Sequence, residues 1–174
     1  LENRDEILKM DDAELSRQFQ LYRCTGKAAT HRQERPRRLG TGNGGQKRNK
    51  TSSAARVRLA GTAYTAADCT ERSQHRNRAA ALAKLRIAVA FGERETPAQP
   101  PERFECALGH AGYPLWLAHI LDVAAEEKWK LKAVAAKIGC TPSSLVKKLA
   151  RDPALWQFAN AERMRLELPP LRRP

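Results

Sequence analysis

Three prolines within five residues divide this chain into two stretches with different hydrophobic periods. Pro97, Pro100 and Pro101 fall between Gly92 and Arg103. Proline cannot donate to a strand ladder, and it clashes with the preceding turn of a helix interior. Residues 92–104 therefore read as a linker. Downstream of it every patterned segment repeats at helical spacing: Leu115 to Lys128, Leu131 to Ile138, Pro142 to Arg151, and Pro153 to Leu166. Upstream the pattern is mixed. Glu6 to Met10 and Asp11 to Leu15 predict one or two short helices, with Asp11 or Asp12 as a cap. Gln18 to Arg23 alternates polar and apolar, which predicts a strand. Arg56 to Leu59 and Ala63 to Ala67 predict two more, joined by a turn at Gly61. Ser73 to Phe91 returns to helical spacing, with Leu82, Leu85 and Val89 on one face. The expected fold class is α+β. A small mixed sheet with a glycine-rich loop and a long packing helix fills residues 1–91, and a small all-α unit fills residues 105–174. With 41% hydrophobic and 6% aromatic residues, the core is expected to be modest.

Charge narrows the function. The net charge is +13, and it is unevenly spread. Residues 17–86 hold seventeen basic and three acidic side chains. Such a segment favours a phosphate-rich partner, because lysine and arginine displace counterions condensed on nucleic acid. No run reaches the ~18 apolar residues of a spanning helix, so no membrane role is expected. Leu1 opens the chain without the basic and apolar regions of a secretory signal. A cytoplasmic location is expected, with an organelle left open because the natural start is read as removed. Cys24, Cys69, Cys106 and Cys140 form no CxxC pair. Free thiols are expected, without metal or disulfide.

Within the basic segment stands Gly42-Asn43-Gly44-Gly45-Gln46-Lys47-Arg48-Asn49-Lys50-Thr51. Glycine takes positive φ cheaply and carries no Cβ, so such a loop brings backbone N–H groups close to an anion. The spacing is not that of a nucleotide-binding loop. On its own the pattern also suits a plain flexible loop. Further along come Ser53-Ala54, Arg56, and Glu71-Arg72-Ser73-Gln74-His75-Arg76-Asn77-Arg78-Ala79-Ala80-Ala81-Leu82. Gly44-Gly45-Gln46, Asn49-Lys50-Thr51 and this last run, in that order, closely resemble the GGQ domain of bacterial-type class I release factors. The likeness covers residues 42–86 well, and residues 17–24 loosely as the preceding strand.

That resemblance implies a peptidyl-tRNA hydrolase working with the ribosome. Gly44, Gly45 and Gln46 would be the catalytic triplet, with the Gln46 amide stabilising the reaction centre. Lys47, Arg48, Lys50, Arg56, Arg72, Gln74, Arg76 and Asn77 would hold RNA or anchor the long helix to the loop. Gln46 would be a candidate for N-methylation by a glutamine methyltransferase. The implied partners are large-subunit ribosomal RNA and peptidyl-tRNA, engaged by a monomer that needs no cofactor. Capping and surface solvation are the plainer reading of Arg72, Gln74, Arg76 and Asn77. His31, His75, His110 and His119 show no catalytic spacing.

The sequence also departs from the family. A basic stretch at about 27–41 separates the first strand from the triplet, where the family has a short connection. No codon-reading module has room in 174 residues, so codon-independent rescue of stalled ribosomes is expected. The basic tail of the stand-alone rescue hydrolases is replaced by helices. Among them, Ala135, Gly139 and Leu145 are spaced as in a helix-turn-helix. Thr141 before Pro142 would be the cap, and Ser143, Ser144, Lys147 and Lys148 the exposed face. A bundle packed around Trp116, Trp129 and Trp156 explains the same residues. Two other functions stay open: a non-catalytic ribosome- or RNA-binding protein, and a DNA-binding regulator using the helix-turn-helix.

Overall fold

The computed structural model describes residues 4–18, 21–23, 54–97 and 106–174. They form two compact units, Met10–Ala88 and a second made of Leu1–Lys9 with Val89–Pro174.

In the first unit, helix α2 (Asp12–Gln18) begins where Asp11 caps it, the Asp11 carboxylate accepting from the Glu14 N–H at 2.7 Å. Strands β1 (Leu21–Arg23), β2 (Ala55–Arg58) and β3 (Thr65–Asp68) pair in that order, each antiparallel to its neighbour. The register sets Leu21 opposite Val57, and Val57 opposite Ala66. Along β2 the side chains alternate, Ala55 and Val57 buried, Arg56 and Arg58 exposed. This is the period of two that a one-sided sheet needs. Gly61 makes the β2–β3 turn at φ 70°, in the left-handed region open to glycine, and a Cβ there would meet nothing.

Helix α3 (Gln74–Gly92) follows. Leu82, Leu85 and Val89 are all within 2% of full burial, so the expected face is the buried one. Arg86 ties α3 to the start of α2, donating to the Met10 carbonyl at 2.9 Å and pairing with Asp12 at 2.7 Å.

The second unit is helical: α1 (Arg4–Lys9), α4 (Tyr113–Glu126), α5 (Leu131–Ile138), α6 (Pro142–Ala150) and α7 (Pro153–Arg165). Helix α4 is its centre, with Leu117, Ile120 and Leu121 fully buried. Trp116, Trp129 and Trp156 are buried too, as the bundle reading expects. Helix α1 belongs to this unit rather than to the strands beside it in sequence, because Arg4 is buried against α4. Its guanidinium grips Asp122 at 2.6 and 2.8 Å. Burial works against the Arg4 charge, but hydrogen bonds to Asp122 and Asp5 more than offset it and hold the pKa above the usual arginine value.

Helix α7 is capped by Asp152, which accepts from the Ala154 N–H at 2.8 Å and also receives the Tyr113 hydroxyl. Burial first, and Asp152 second, push the Tyr113 phenol above its ordinary range. Cys69, Cys106 and Cys140 are free thiols.

Candidate active site

The described part of the site is the turn that leaves β3 and enters α3. Five side chains fix it. Asp68, at the end of β3, is buried. Its Oδ1 accepts from the Thr70 N–H at 2.9 Å and the Thr70 hydroxyl at 2.7 Å, while Lys84 reaches Oδ2 at 2.6 Å from one face of α3. The Lys84 contact, then the two Thr70 contacts, hold the Asp68 carboxyl well below the usual range. Asp68 thus joins strand, turn and helix.

Asn77 does the other half. It is completely buried. Its Oδ1 accepts from the Glu71 N–H and its Nδ2 donates to the Glu71 carbonyl, both at 2.8 Å. A side-chain amide can supply one donor and one acceptor in a plane, which is what a strand-like backbone edge asks for. Ser73 adds a long capping contact, its hydroxyl accepting from the Arg76 N–H at 3.4 Å.

With the backbone pinned at Asp68 and Glu71, the side chains of Arg72, Gln74, His75 and Arg76 are left exposed. Arg76 stands 3.9 Å from Glu71, a loose exposed pair. Arg56 is exposed on the outer face of β2. Hence four of the residues predicted to meet RNA (Arg56, Arg72, Gln74, Arg76) lie on the surface. Asn77 does not: its side chain is spent on the Glu71 backbone, where it positions the exposed residues. Gly44, Gly45, Gln46, Lys47, Arg48 and Lys50 lie outside the described residues, as does the basic stretch at 27–41.

Sequence reasoning missed Asp68 and Lys84, which carry no motif of their own. A signal did exist for Asn77. It stands four residues before Ala81 and eight before Leu85, both buried. A polar residue in register with a core stripe needs buried partners. Among the described residues, no group of three or more His, Cys, Asp or Glu side chains stands where it could hold a metal ion. No described helix is long and apolar enough to cross a membrane.

The turn thus presents Arg72, Gln74 and Arg76 to solvent at the head of a long helix. Residues 34–108 match the family model described as the RF-1 domain, the GGQ domain of class I release factors. Over these residues the chain is similar to that family, whose members hydrolyse peptidyl-tRNA. No curated protein and no solved structure gives a significant match. The matched segment begins after β1, yet β1 pairs with β2 over three residues. The sheet thus extends beyond the matched residues.

Proposed function

We propose that this protein hydrolyses the ester of peptidyl-tRNA on the ribosome without reading a codon, and so frees stalled ribosomes. The observation that carries the reading is the intact Gly44-Gly45-Gln46 within the matched segment. A water oxygen attacks the ester carbonyl, the bond to the tRNA 3′-oxygen breaks, and that oxygen leaves as a hydroxyl with a proton taken from the water. Negative charge grows on oxygen during attack. The Gln46 backbone N–H is the donor that meets it, preorganised and in a site closed to bulk water. Gly44 and Gly45 supply the backbone angles that aim this amide. The Gln46 side chain shapes the water site and is the position for N-methylation by a glutamine methyltransferase.

Lys47, Arg48, Lys50, Arg56, Arg72, Gln74 and Arg76 hold the phosphates of ribosomal RNA and tRNA, with Asn77 positioning the last three. Phosphate contacts carry no sequence information, which supports release independent of the codon. The test is release of a labelled peptide from ribosomes whose A site holds a stop codon, a sense codon or no mRNA. Release in all three is the expected result. A marked preference for the stop codon overturns codon independence, and no release in any state overturns the hydrolase.

A further inference from the structure

We infer that the α5–α6 pair is a second nucleic-acid surface, which grips the phosphate backbone of double-helical RNA and anchors the protein. The first observation is its form. Val134 and Ala135 of α5, with Leu145 and Leu149 of α6, are buried, so each helix turns one face inward. Gly139 ends α5 at φ 74°. The Cys140 N–H returns to the Ala135 carbonyl at 2.9 Å. Thr141 then caps α6, its hydroxyl accepting from the Ser144 N–H, with Pro142 in the first turn. Two helices joined by a three-residue glycine turn are a helix-turn-helix. On α6, Ser143 and Lys147 are exposed, as is Arg151 at its C-cap, while Ser144 and Lys148 are half-buried. With Ser143 and Ala150 flanking Lys147, small side chains let the helix come close to a backbone.

The second observation is charge. Residues 128–151 contain seven basic side chains and no acidic one. Lys137 is turned toward Glu126 and Glu127, at 2.9 and 2.8 Å. Lys128, Lys130, Lys132 and Lys147 are exposed.

The third is strain. Lys128 and Trp129 are consecutive non-glycine residues at φ 49° and 56°, where a Cβ crowds the carbonyl. The surroundings force this conformation. Trp129 is buried, its N–H donates to the Ala124 carbonyl at 2.7 Å, and its own carbonyl accepts from the buried Arg163 at 2.6 Å. Strain held by such neighbours is a pointer to function. What this turn presents outward is Lys128 and Lys130, at the head of α5. In a helix-turn-helix, the first helix is the one that crosses the phosphate backbone.

The residues on offer favour the backbone over base edges. The first turn of α6 exposes Pro142 and Ser143, and neither is a bidentate reader of bases. RNA is chosen over DNA because residues 34–108 match the RF-1 domain model. That choice rests on the ribosomal reading, whereas the grip on phosphate does not.

The test uses the full chain and a variant with K128Q, K130Q, K132Q and K147Q. Each is titrated against a fluorescent 20-base-pair RNA hairpin and the DNA duplex of the same sequence, over a salt series. At about 0.9 per phosphate contact, the slope of log K against log[salt] should shrink by about 3 to 4, and hairpin affinity should fall at least tenfold. Unchanged hairpin affinity overturns the proposal. So does tighter binding of the DNA duplex that the variant loses. Lys128→Gly is the safeguard against a misfolded variant, because glycine accepts the left-handed angle. It should lose about one contact's worth of slope without a lower melting temperature. Peptide release separates the two readings: a wild type that releases nothing while the variant loses hairpin binding sinks the hydrolase and leaves the anchor standing.

Discussion

Two buried polar side chains, Asp122 and Asn77, show how differently the two units are made. Asp122 sits at the centre of α4 and answers a charge, the Arg4 guanidinium, amid Leu117, Ile120, Leu121 and other apolar residues. Asn77 sits in the first turns of α3 and answers a backbone, at Glu71. One holds an element in a core. The other holds a turn so that its neighbours can face outward. The helical unit is thus organised around what it buries, and the sheet unit around what it exposes. Variants in the two should therefore fail in different assays.

The largest effect is expected from Asp122→Ala. It leaves Arg4 buried without its partner, which typically costs about 3–5 kcal/mol. Thermal unfolding should show the loss in the helical unit, while the surviving folded protein releases peptide normally at saturation. A release defect in folded protein would break the comparison. Gly45→Ala should do the reverse. Loss of one preorganised donor costs about 10²–10³ in rate, with melting temperature and ribosome affinity unchanged. Gln46→Ala keeps the amide and should fall between Gly45→Ala and wild type. Glycine variants that release at the wild-type rate refute the mechanism.

Asn77→Ala should show both kinds of failure, more mildly. Glu71 loses the two hydrogen bonds from Asn77 to its N–H and carbonyl, at about 0.5–1.5 kcal/mol each. Release should fall with stability, since Arg72 and Gln74 lose their platform. A destabilised variant with undiminished release would separate the turn from the chemistry. The smallest effect concerns pH. Burial lowers the His119 pKa below its ordinary 6.5. The unfolded imidazole therefore takes up its proton first, so the contribution is present above pH 6.5 and fades as pH falls. Asp68, held below the carboxylate range, contributes down to about pH 4 and loses its effect only in stronger acid. Melting followed from pH 7.5 to 5.5 should weaken the helical unit first, and His119→Gln should flatten that slope.

The helices of the second unit were legible because their residues repeat. Leu131–Ile138 has the same bounds in sequence and structure, since Gly139 and Pro142 punctuate it. The third strand was less so. Expected from Ala63, it runs Thr65–Asp68, because Thr62 and Tyr64 are taken by the turn that closes on Leu59. The motif named Asn77 but could not say which backbone its amide meets. Burial depends on the partner surface, and no local pattern states it outright. Arg4 was harder still. Among charged residues near an end, nothing local marks the one whose partner lies 118 positions away.

That separation has a consequence for synthesis. At about 5–20 residues per second, Asp122 is made several seconds or more after Arg4. Throughout that interval α1 cannot settle, and Leu8, buried in the finished fold, waits without its cover. Local helices in the second unit can form as they emerge, but closing the unit depends on this distant clasp. Folding of an otherwise short-range bundle should then be slowed by one long loop closure. A chain still tethered at α4 should bind chaperones through its first helix.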